Sequence, residues 1–379
     1  MAVASGVAVA NIYYNQPMLA DMASSLHVSA HEIGYVATAT QIGYAAGMPL
    51  FIPLGDFWER RSLIVALFIA VALALAGAAL SPNLIALVLS SFFIGVTTVI
   101  AQIIIPLATE LATPEQQGRT IGTILSGVLL GILLARTLSG FVAAHFGWRS
   151  MFWLAAGMAI VFCVILRAAL PHIPAHSKMT YPELMHSIWQ LVLELPKLRQ
   201  VSLIAAMFFA AFSAFWTTLV FLLETPPYHY GAEAAGLFGL VGAVGAGVAP
   251  ISGRLSDKRS PRFVVRIAIG IVLAAFVVFW GFAFHLWGLV AGVILLDAGV
   301  QAAQVANQSR VLKLKPEARN RVNTVYMICY FSGGSVGSLV GSAVWSKYHW
   351  TGVCAAGIGF MVIGAIALVS RGPDPIAPQ

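Results

Sequence analysis

Apolar residues fill twelve runs of about 20 residues each, and short polar stretches separate the runs. A helix of that length crosses roughly 30 Å of hydrocarbon, so each run is long enough to span a membrane. The pattern therefore predicts an all-α membrane protein with twelve transmembrane helices, numbered here as spans 1 to 12. The spans cover about residues 2–22, 31–55, 63–80, 84–109, 119–144, 150–170, 200–223, 233–253, 263–284, 287–309, 321–345 and 351–370.

Two polar loops of the chain resemble each other. The loop Pro53–Arg61 contains Asp56, and the loop Gly253–Arg262 contains Asp257, which lies 201 residues further on (257 minus 56). The same register recurs at an offset of 202, where Pro114, Glu115 and Arg119 match Pro316, Glu317 and Arg321. Internal repeats of this kind are typical of secondary transporters. The sequence thus predicts two pseudo-symmetric six-helix bundles, residues 1–170 and 200–379, joined by a cytoplasmic linker at 171–199.

Composition and charge agree with this prediction. Hydrophobic residues make up 59% of the chain and charged residues only 9%, whereas a soluble domain has about 25% charged residues. Of the 21 lysines and arginines, eighteen fall in the even-numbered connections or at the C-terminal end, two in odd-numbered connections, and Arg136 in a span. The positive-inside rule then places both termini in the cytoplasm. Membrane orientation accounts for the net charge of +7, so a nucleic-acid partner is not indicated.

Span 10 carries the clearest polar stripe. Its polar residues are spaced i, i+4, i+7 and i+11, which places them on one face of a helix: Asp297, Gln301, Gln304 and Gln308. An ionisable residue near the middle of a membrane is a functional candidate; the alternative is a structural polar seam. In span 1, Asn11, Tyr14 and Asn15 also share a face. That face either contacts substrate or forms hydrogen bonds between helices.

Two charges lie deep in the predicted spans at similar depth. At 1.5 Å per residue, Arg136 lies roughly 12 Å below the external surface and Asp297 roughly 15 Å. Each needs a partner or water, because a lone charge in hydrocarbon costs at least about 2.5–3.5 kcal/mol. We hypothesise that they pair in one state of the protein; the alternative is that each faces a wet cavity separately.

No cofactor or metal is expected. His27 and His31 have the spacing of a zinc pair and Glu32 is adjacent, but the segment is an external loop with no third ligand close in sequence. The three cysteines, Cys163, Cys329 and Cys354, all fall inside apolar spans without ligand spacing, which favours a role in packing.

With the repeat, the loops and the topology in place, the chain resembles the major facilitator superfamily, most closely its bacterial twelve-helix drug:proton antiporter branch. The family's loop between helices 2 and 3, Gly-x-x-x-Asp-Arg/Lys-x-Gly-Arg-Arg, is matched by Asp56, Arg60 and Arg61. Its second copy retains Gly253, Asp257 and Lys258. The chain departs from these patterns in the loop, where Ile52, Phe57 and Glu59 replace the first glycine, the basic residue and the second glycine. It also departs from the branch in two helices: Ser91 stands where helix 4 has an arginine, and Arg136 stands where helix 5 has a proline.

The resemblance implies alternating access, with helices 1, 4, 7 and 10 around a central cavity and a monomer in the bacterial inner membrane. Its implied partners are a small-molecule substrate, a proton as coupling ion and the lipid bilayer. The candidate substrate- or proton-binding residues are Tyr14, Asn15, Gln102, Arg136, Trp216, Asp297, Gln301 and Gln304. The candidate gating residues are Asp56, Arg60, Arg61, Asp257, Lys258 and Arg321, with Asp56 expected to face the start of span 11.

Three functions follow as hypotheses. The first is proton-coupled efflux of a small organic compound. The second is uptake or uniport of an anionic metabolite, which Arg136 favours. A membrane enzyme or a transporter-like sensor is less favoured, because the sequence contains no HExxH or P-loop motif.

Overall fold

The computed structural model describes residues 1–113, 116–172, 181–315 and 318–370, and every regular element in these ranges is a helix. Within these ranges, eight helical segments are long and apolar enough to cross a membrane when Leu84–Leu111 is counted as one segment. The α-helices are α1 Ala2–Ala10, α2 Leu19–Leu26, α3 Ala30–Phe51, α4 Leu54–Phe57, α5 Arg60–Ala79, α6 Leu84–Thr97, α7 Ile100–Leu111, α8 Gln117–Phe146, α9 Trp148–Ala169, α10 Tyr181–Glu194, α11 Pro196–Glu224, α12 Ala232–Ala246, α13 Ala249–Lys258, α14 Pro261–Phe282, α15 Leu286–Leu312 and α16 Arg319–Val369.

The all-α prediction is confirmed, but several predicted spans are broken helices. Span 1 consists of α1, a short 3-10 helix at Gln16–Met18, and α2. Span 4 is divided into α6 and α7, and span 8 into α12 and α13. Spans 11 and 12 both lie within α16, which turns at His349 (φ 50°). Because a broken helix leaves backbone groups unpaired, breaks inside a membrane are tolerated only where other protein groups or water satisfy them.

By contacts the chain forms two compact units, of which the first comprises Met1–His186 and Leu219–Gly239. Helices α1 and α8 approach closely in this unit: a methyl group built on Gly6 would lie 2.5 Å from the Gly127 carbonyl oxygen, and one on Gly131 would overlap the Gly6 carbonyl. Gly43 and Gly95 allow the same close contact between α3 and α6. These helices pack backbone to backbone, as small residues permit in membranes.

The second unit comprises Ser187–Thr218 and Leu240–Gln379. Helix α16 packs against α11 through Gly333, Gly337 and Gly341, on which a methyl group would meet the backbone of Ala206, Ala210 and Ala214. A buried aromatic core completes the unit: Phe215 stacks on Phe279 with ring centroids 4.4 Å apart, and Trp350 Nε1 donates to the Phe279 carbonyl at 3.0 Å.

The duplication predicted from the loops is visible in this packing. In the first unit Gly131 contacts Gly6, and in the second Gly333 contacts Ala206. The two contacts are related by offsets of 202 (333 minus 131) and 200 (206 minus 6), close to the offsets of 201 and 202 found in the sequence. The proposed boundaries at residues 170 and 200 stay a prediction.

Candidate functional site

The first polar cluster surrounds Arg136 in the first unit. Arg136 lies in the middle of α8 with only 1% of its surface exposed. Its Nε donates to Gln16 Oε1 at 2.9 Å, and its guanidinium lies 4.9 Å from the ring centroid of Tyr13. Gly239 of α12 leaves room for the aliphatic stem, because a methyl group there would lie 3.0 Å from the Arg136 Cβ. A buried guanidinium held by an amide and an aromatic ring is suited to hold an anionic group.

The break in span 1 supplies the rest of this cluster. Residues 11–15 connect α1 to the 3-10 helix that contains Pro17, and Asn15 Nδ2 donates to Thr40 Oγ1 of α3 at 2.9 Å. Tyr14, the residue before Asn15, is also buried. The break in span 4 similarly precedes Gln102, whose Nε2 lies 3.4 Å from Tyr44 Oη. The structure therefore places the predicted residues of spans 1, 4 and 5 in one unit, linked to polar residues of α3.

The second polar cluster lies in the second unit along α15. Asp297 is 6% exposed, and two glycines of α12 contact it. A methyl group on Gly242 would lie 3.2 Å from Asp297 Oδ2, and one on Gly245 would lie 2.5 Å from Asp297 Cβ. Asp297 makes further interactions as well. The glycines allow α12 to approach this acid without a side chain in between.

The glutamines on the same face are less buried than Asp297. Gln301 and Gln304 are partly exposed, and Tyr330 Oη of α16 donates to Gln304 Oε1 at 3.4 Å. One turn further on, Gln308 Nε2 donates to Asn323 Oδ1 at 3.1 Å. The stripe therefore faces α16 for part of its length. The side-chain amides of Gln304 and Gln308 thus hold the two helices together, in addition to any contact with a ligand.

An aromatic wall adjoins this stripe. Phe209 stacks on Tyr330 with centroids 4.1 Å apart, and Phe212 lies 6.0 Å from Trp216. Trp216 is 2% exposed, so its ring is surrounded by protein rather than lipid. Six residues of these clusters were not among the site candidates predicted from the sequence: Tyr13, Gln16, Tyr44, Phe209, Phe212 and Tyr330. Their only sequence signal was an aromatic or polar residue inside an apolar span, which many packing residues share.

The loop preceding α5 forms a charged network in the first unit. Arg60 pairs with Glu110 of α7 and donates from Nε to the Gly55 carbonyl at 2.9 Å. Arg61 donates to the Leu170 carbonyl at 3.1 Å. These two gating candidates therefore connect α5 to the ends of α7 and α9. The side chains of Asp56, Asp257 and Lys258 lie outside the described residues, and Arg321 is partly exposed in the first turn of α16.

Glu59, in the same loop, accepts hydrogen bonds from Ser62 and His172. The Ser62 hydroxyl and, secondarily, His172 hold the pKa of Glu59 below its ordinary value. This glutamate occupies the position of the second glycine of the family's loop, so the chain has an additional acid in a region that is otherwise basic.

Two sequence interpretations change with the structure. Arg310, which directly follows predicted span 10 and so was one of the eighteen basic residues assigned to the connections, lies inside α15, is 7% exposed and donates to Asn307 Oδ1 at 3.3 Å. Glu32, considered beside the histidine pair, instead closes a capping box with Ser29 at the start of α3. That hydrogen bonding gives Glu32 a structural role at a helix N-terminus.

The helical repeat and the two polar clusters define a membrane transport protein, and comparison with known proteins agrees. The family model of the Major Facilitator Superfamily matches residues 1–338, and the chain belongs to this family. A relative, the putative uncharacterized transporter YgaY of Escherichia coli (strain K12), is 38% identical, with 97% of this chain and 93% of that protein covered. A probable sugar efflux transporter of Helicobacter pylori (strain ATCC 700392 / 26695) is 25% identical, covering 93% and 88%.

Solved structures share the fold. A bacterial homolog to the human lysosomal transporter Spinster, in an inward-facing and unoccupied conformation, gives a TM-score of 0.76 at 16% identity, with 97% of this chain and 93% of that chain covered. The nucleoside transporter NupG gives a TM-score of 0.80 at 14% identity, covering 97% and 98%. The family match and the relatives thus make the chain a multi-pass membrane protein of a transporter family.

Proposed function

We propose that this transporter exports a small organic compound by alternating access and couples export to the movement of protons. The observation that carries the proposal is Asp297, a buried acid on α15 whose face also presents the partly exposed amides of Gln301 and Gln304. An ionisable residue inside a membrane-spanning helix is by default a functional candidate, and buried acids in such helices serve as proton relays in pumps and transporters.

The direction of transport has separate support. Relatives at 25% identity are named probable sugar efflux transporters. Efflux also agrees with the resemblance of the two loop motifs to the antiporter branch. In this proposal, substrate contacts are made by Tyr14, Asn15, Gln102 and Trp216, together with the two glutamines.

Arg136 supports a second candidate function, uptake or uniport of an anionic metabolite. Its guanidinium is buried, and its described contacts are to an amide oxygen and an aromatic ring. A guanidinium binds a carboxylate or phosphate group of a substrate better than it binds a neutral ring of a substrate. Substrate charge therefore separates the two candidates.

The test uses purified protein in proteoliposomes that contain a pH-sensitive dye. We expect a compound from a panel of neutral, cationic and anionic metabolites to change the lumenal pH, and we expect Asp297→Asn to eliminate the proton signal. Gly122→Ala, at an exposed glycine with no atom within 4 Å of the added methyl, serves as the control. An anionic substrate that moves without a pH change favours the second function, and no transport of any compound favours a sensor.

The proposal also places the protein in the bacterial inner membrane as a monomer, with both termini in the cytoplasm. Reporter fusions at each terminus test this orientation. A reporter enzyme that is active only in the periplasm should be inactive when fused to either terminus, because both termini are expected in the cytoplasm. Activity of a fusion at either terminus contradicts it.

A further inference from the structure

Helix α10 has three faces of different character. It connects α9, which ends at Ala169, to α11, which begins at Pro196. Leu191 is buried against the protein, whereas Trp189 is 62% exposed and Leu193 is 56% exposed. At 100° per residue, Trp189 and Leu193 share one face, and the polar residues Glu183, Gln190 and Glu194 share the next. The helix thus presents protein-facing, uncovered apolar and polar sides in succession.

Both ends of α10 are attached to other elements. Tyr181 Oη donates to the Pro49 carbonyl of α3 at 3.1 Å in the first unit. Glu194 forms an ion pair with Lys315, with an N–O distance of 3.5 Å, in the second unit. Tyr181 and Glu194, one at each end of α10, thus each have a partner on another element.

The position of α10 in the chain indicates what contacts its exposed apolar face. Only Leu195 separates α10 from α11, a 29-residue membrane-spanning helix. The apolar face therefore lies at the edge of the membrane, where tryptophan is enriched because its ring is apolar and its N–H is polar. Lys197 and the exposed Arg199 follow directly and suit phosphate headgroups. We propose that Trp189 and Leu193 insert into the headgroup region of the lipid leaflet and that α10 is a lipid-docking surface.

Quenching by brominated phospholipids in nanodiscs tests the proposal. The emission of Trp189 is obtained as the difference between the wild type and Trp189→Phe, a conservative change whose folding is checked by gel filtration. We expect bromine near the headgroup to quench this emission at least twofold more than bromine near the end of the acyl chain. The matched control combines Trp189→Phe with Gln190→Trp, which moves the indole to the polar face, and this emission should be red-shifted and unquenched.

Two results overturn the proposal. The first is a Trp189 emission that neither bromine position quenches and that is red-shifted as in water. The second is a Trp189 emission that becomes protected from quenching only as the protein concentration rises. It must be accompanied by a dimer on gel filtration that Trp189→Ser abolishes. That second result assigns the face to another copy of the chain. Neither outcome depends on transport, so the proposal stands or fails separately from the proposed function.

Discussion

At the scale of single residues, Arg136 and Asp297 show how the fold accommodates charge in apolar helices. Arg136 has a hydrogen bond from its Nε and an aromatic ring near its guanidinium. Asp297 contacts Gly242 and Gly245, so the backbone of α12 lies next to it without an intervening side chain. An uncompensated charge in hydrocarbon costs at least about 2.5–3.5 kcal/mol. Each of these two residues therefore lowers the stability of the protein unless a polar partner or water compensates its charge.

The pairing hypothesis gives a residue-scale prediction. We expect Arg136→Ala and Asp297→Ala each to abolish transport, because either change leaves the other charge without its partner. The double variant Arg136→Asp with Asp297→Arg should recover part of the thermal stability or transport. Residues that interact directly show coupling energies of about 0.5–3 kcal/mol in a double-mutant cycle. If both quantities are additive in well-folded proteins, the two residues do not pair.

Glu59 gives a prediction about pH. Its folded-state pKa is lowered by the Ser62 hydroxyl and, to a smaller extent, by His172. A lowered pKa contributes stability that is present above the unfolded value, about 4.3, and is lost as pH falls through the folded value. Glu59→Gln should therefore lower the melting temperature at pH 7, and this difference should close in acid. Ser62→Ala should show a similar profile; a difference that is constant with pH contradicts the assignment.

At the scale of elements, close helix packing and helix breaks divide the work. The pairs α1–α8 and α11–α16 contact through glycine and alanine backbones. The breaks in spans 1 and 4, by contrast, coincide with Asn15 and Gln102, where polar side chains hydrogen bond to α3. Close backbone contacts thus hold these helix pairs together, and the breaks in spans 1 and 4 position the polar side chains of Asn15 and Gln102.

Two glycines on α8 test this division. Gly131→Ala should destabilise the protein by about 1–3 kcal/mol, because the added methyl overlaps the Gly6 carbonyl. Gly122→Ala, on the same helix with nothing within 4 Å of the added methyl, should be neutral or stabilising by about 0.5–1 kcal/mol. Thermal unfolding in detergent, followed by size-exclusion chromatography, measures both. Equal losses for the two variants are inconsistent with backbone contact as the cause.

At the scale of the whole molecule, the prediction concerns the equilibrium between access states. Asp56 is expected to face the first turn of span 11, where Arg321 and unpaired backbone amides offer positive charge. An acid at a helix N-terminus contributes about 0.3–1 kcal/mol when exposed and up to about 2 kcal/mol when partly buried. Asp56→Asn should therefore shift the population toward the inward-open state and reduce transport without abolishing it. Unchanged cysteine accessibility on both faces argues against this latch.

The sequence by itself determined the features that depend on local pattern. Apolar runs set the spans, the offset between Asp56 and Asp257 revealed the repeat, and the i, i+4, i+7, i+11 spacing in span 10 identified its polar face. These are consequences of membrane thickness and helix geometry, which act on consecutive residues. The loop motifs then carried the family resemblance, and the family is shown by the comparisons.

Only the tertiary structure decided which distant residues meet. Nothing in the sequence connects Arg136 with Gln16, 120 positions earlier, or Gln304 with Tyr330. The structure also showed that Arg310 belongs to α15 rather than to a loop and that Gly242 and Gly245 contact Asp297. Such contacts depend on how helices pack across the fold, and packing is set by the shapes of all neighbouring side chains together. A single chain's pattern of polar and apolar positions specifies a helix face but not the residue that lies opposite it.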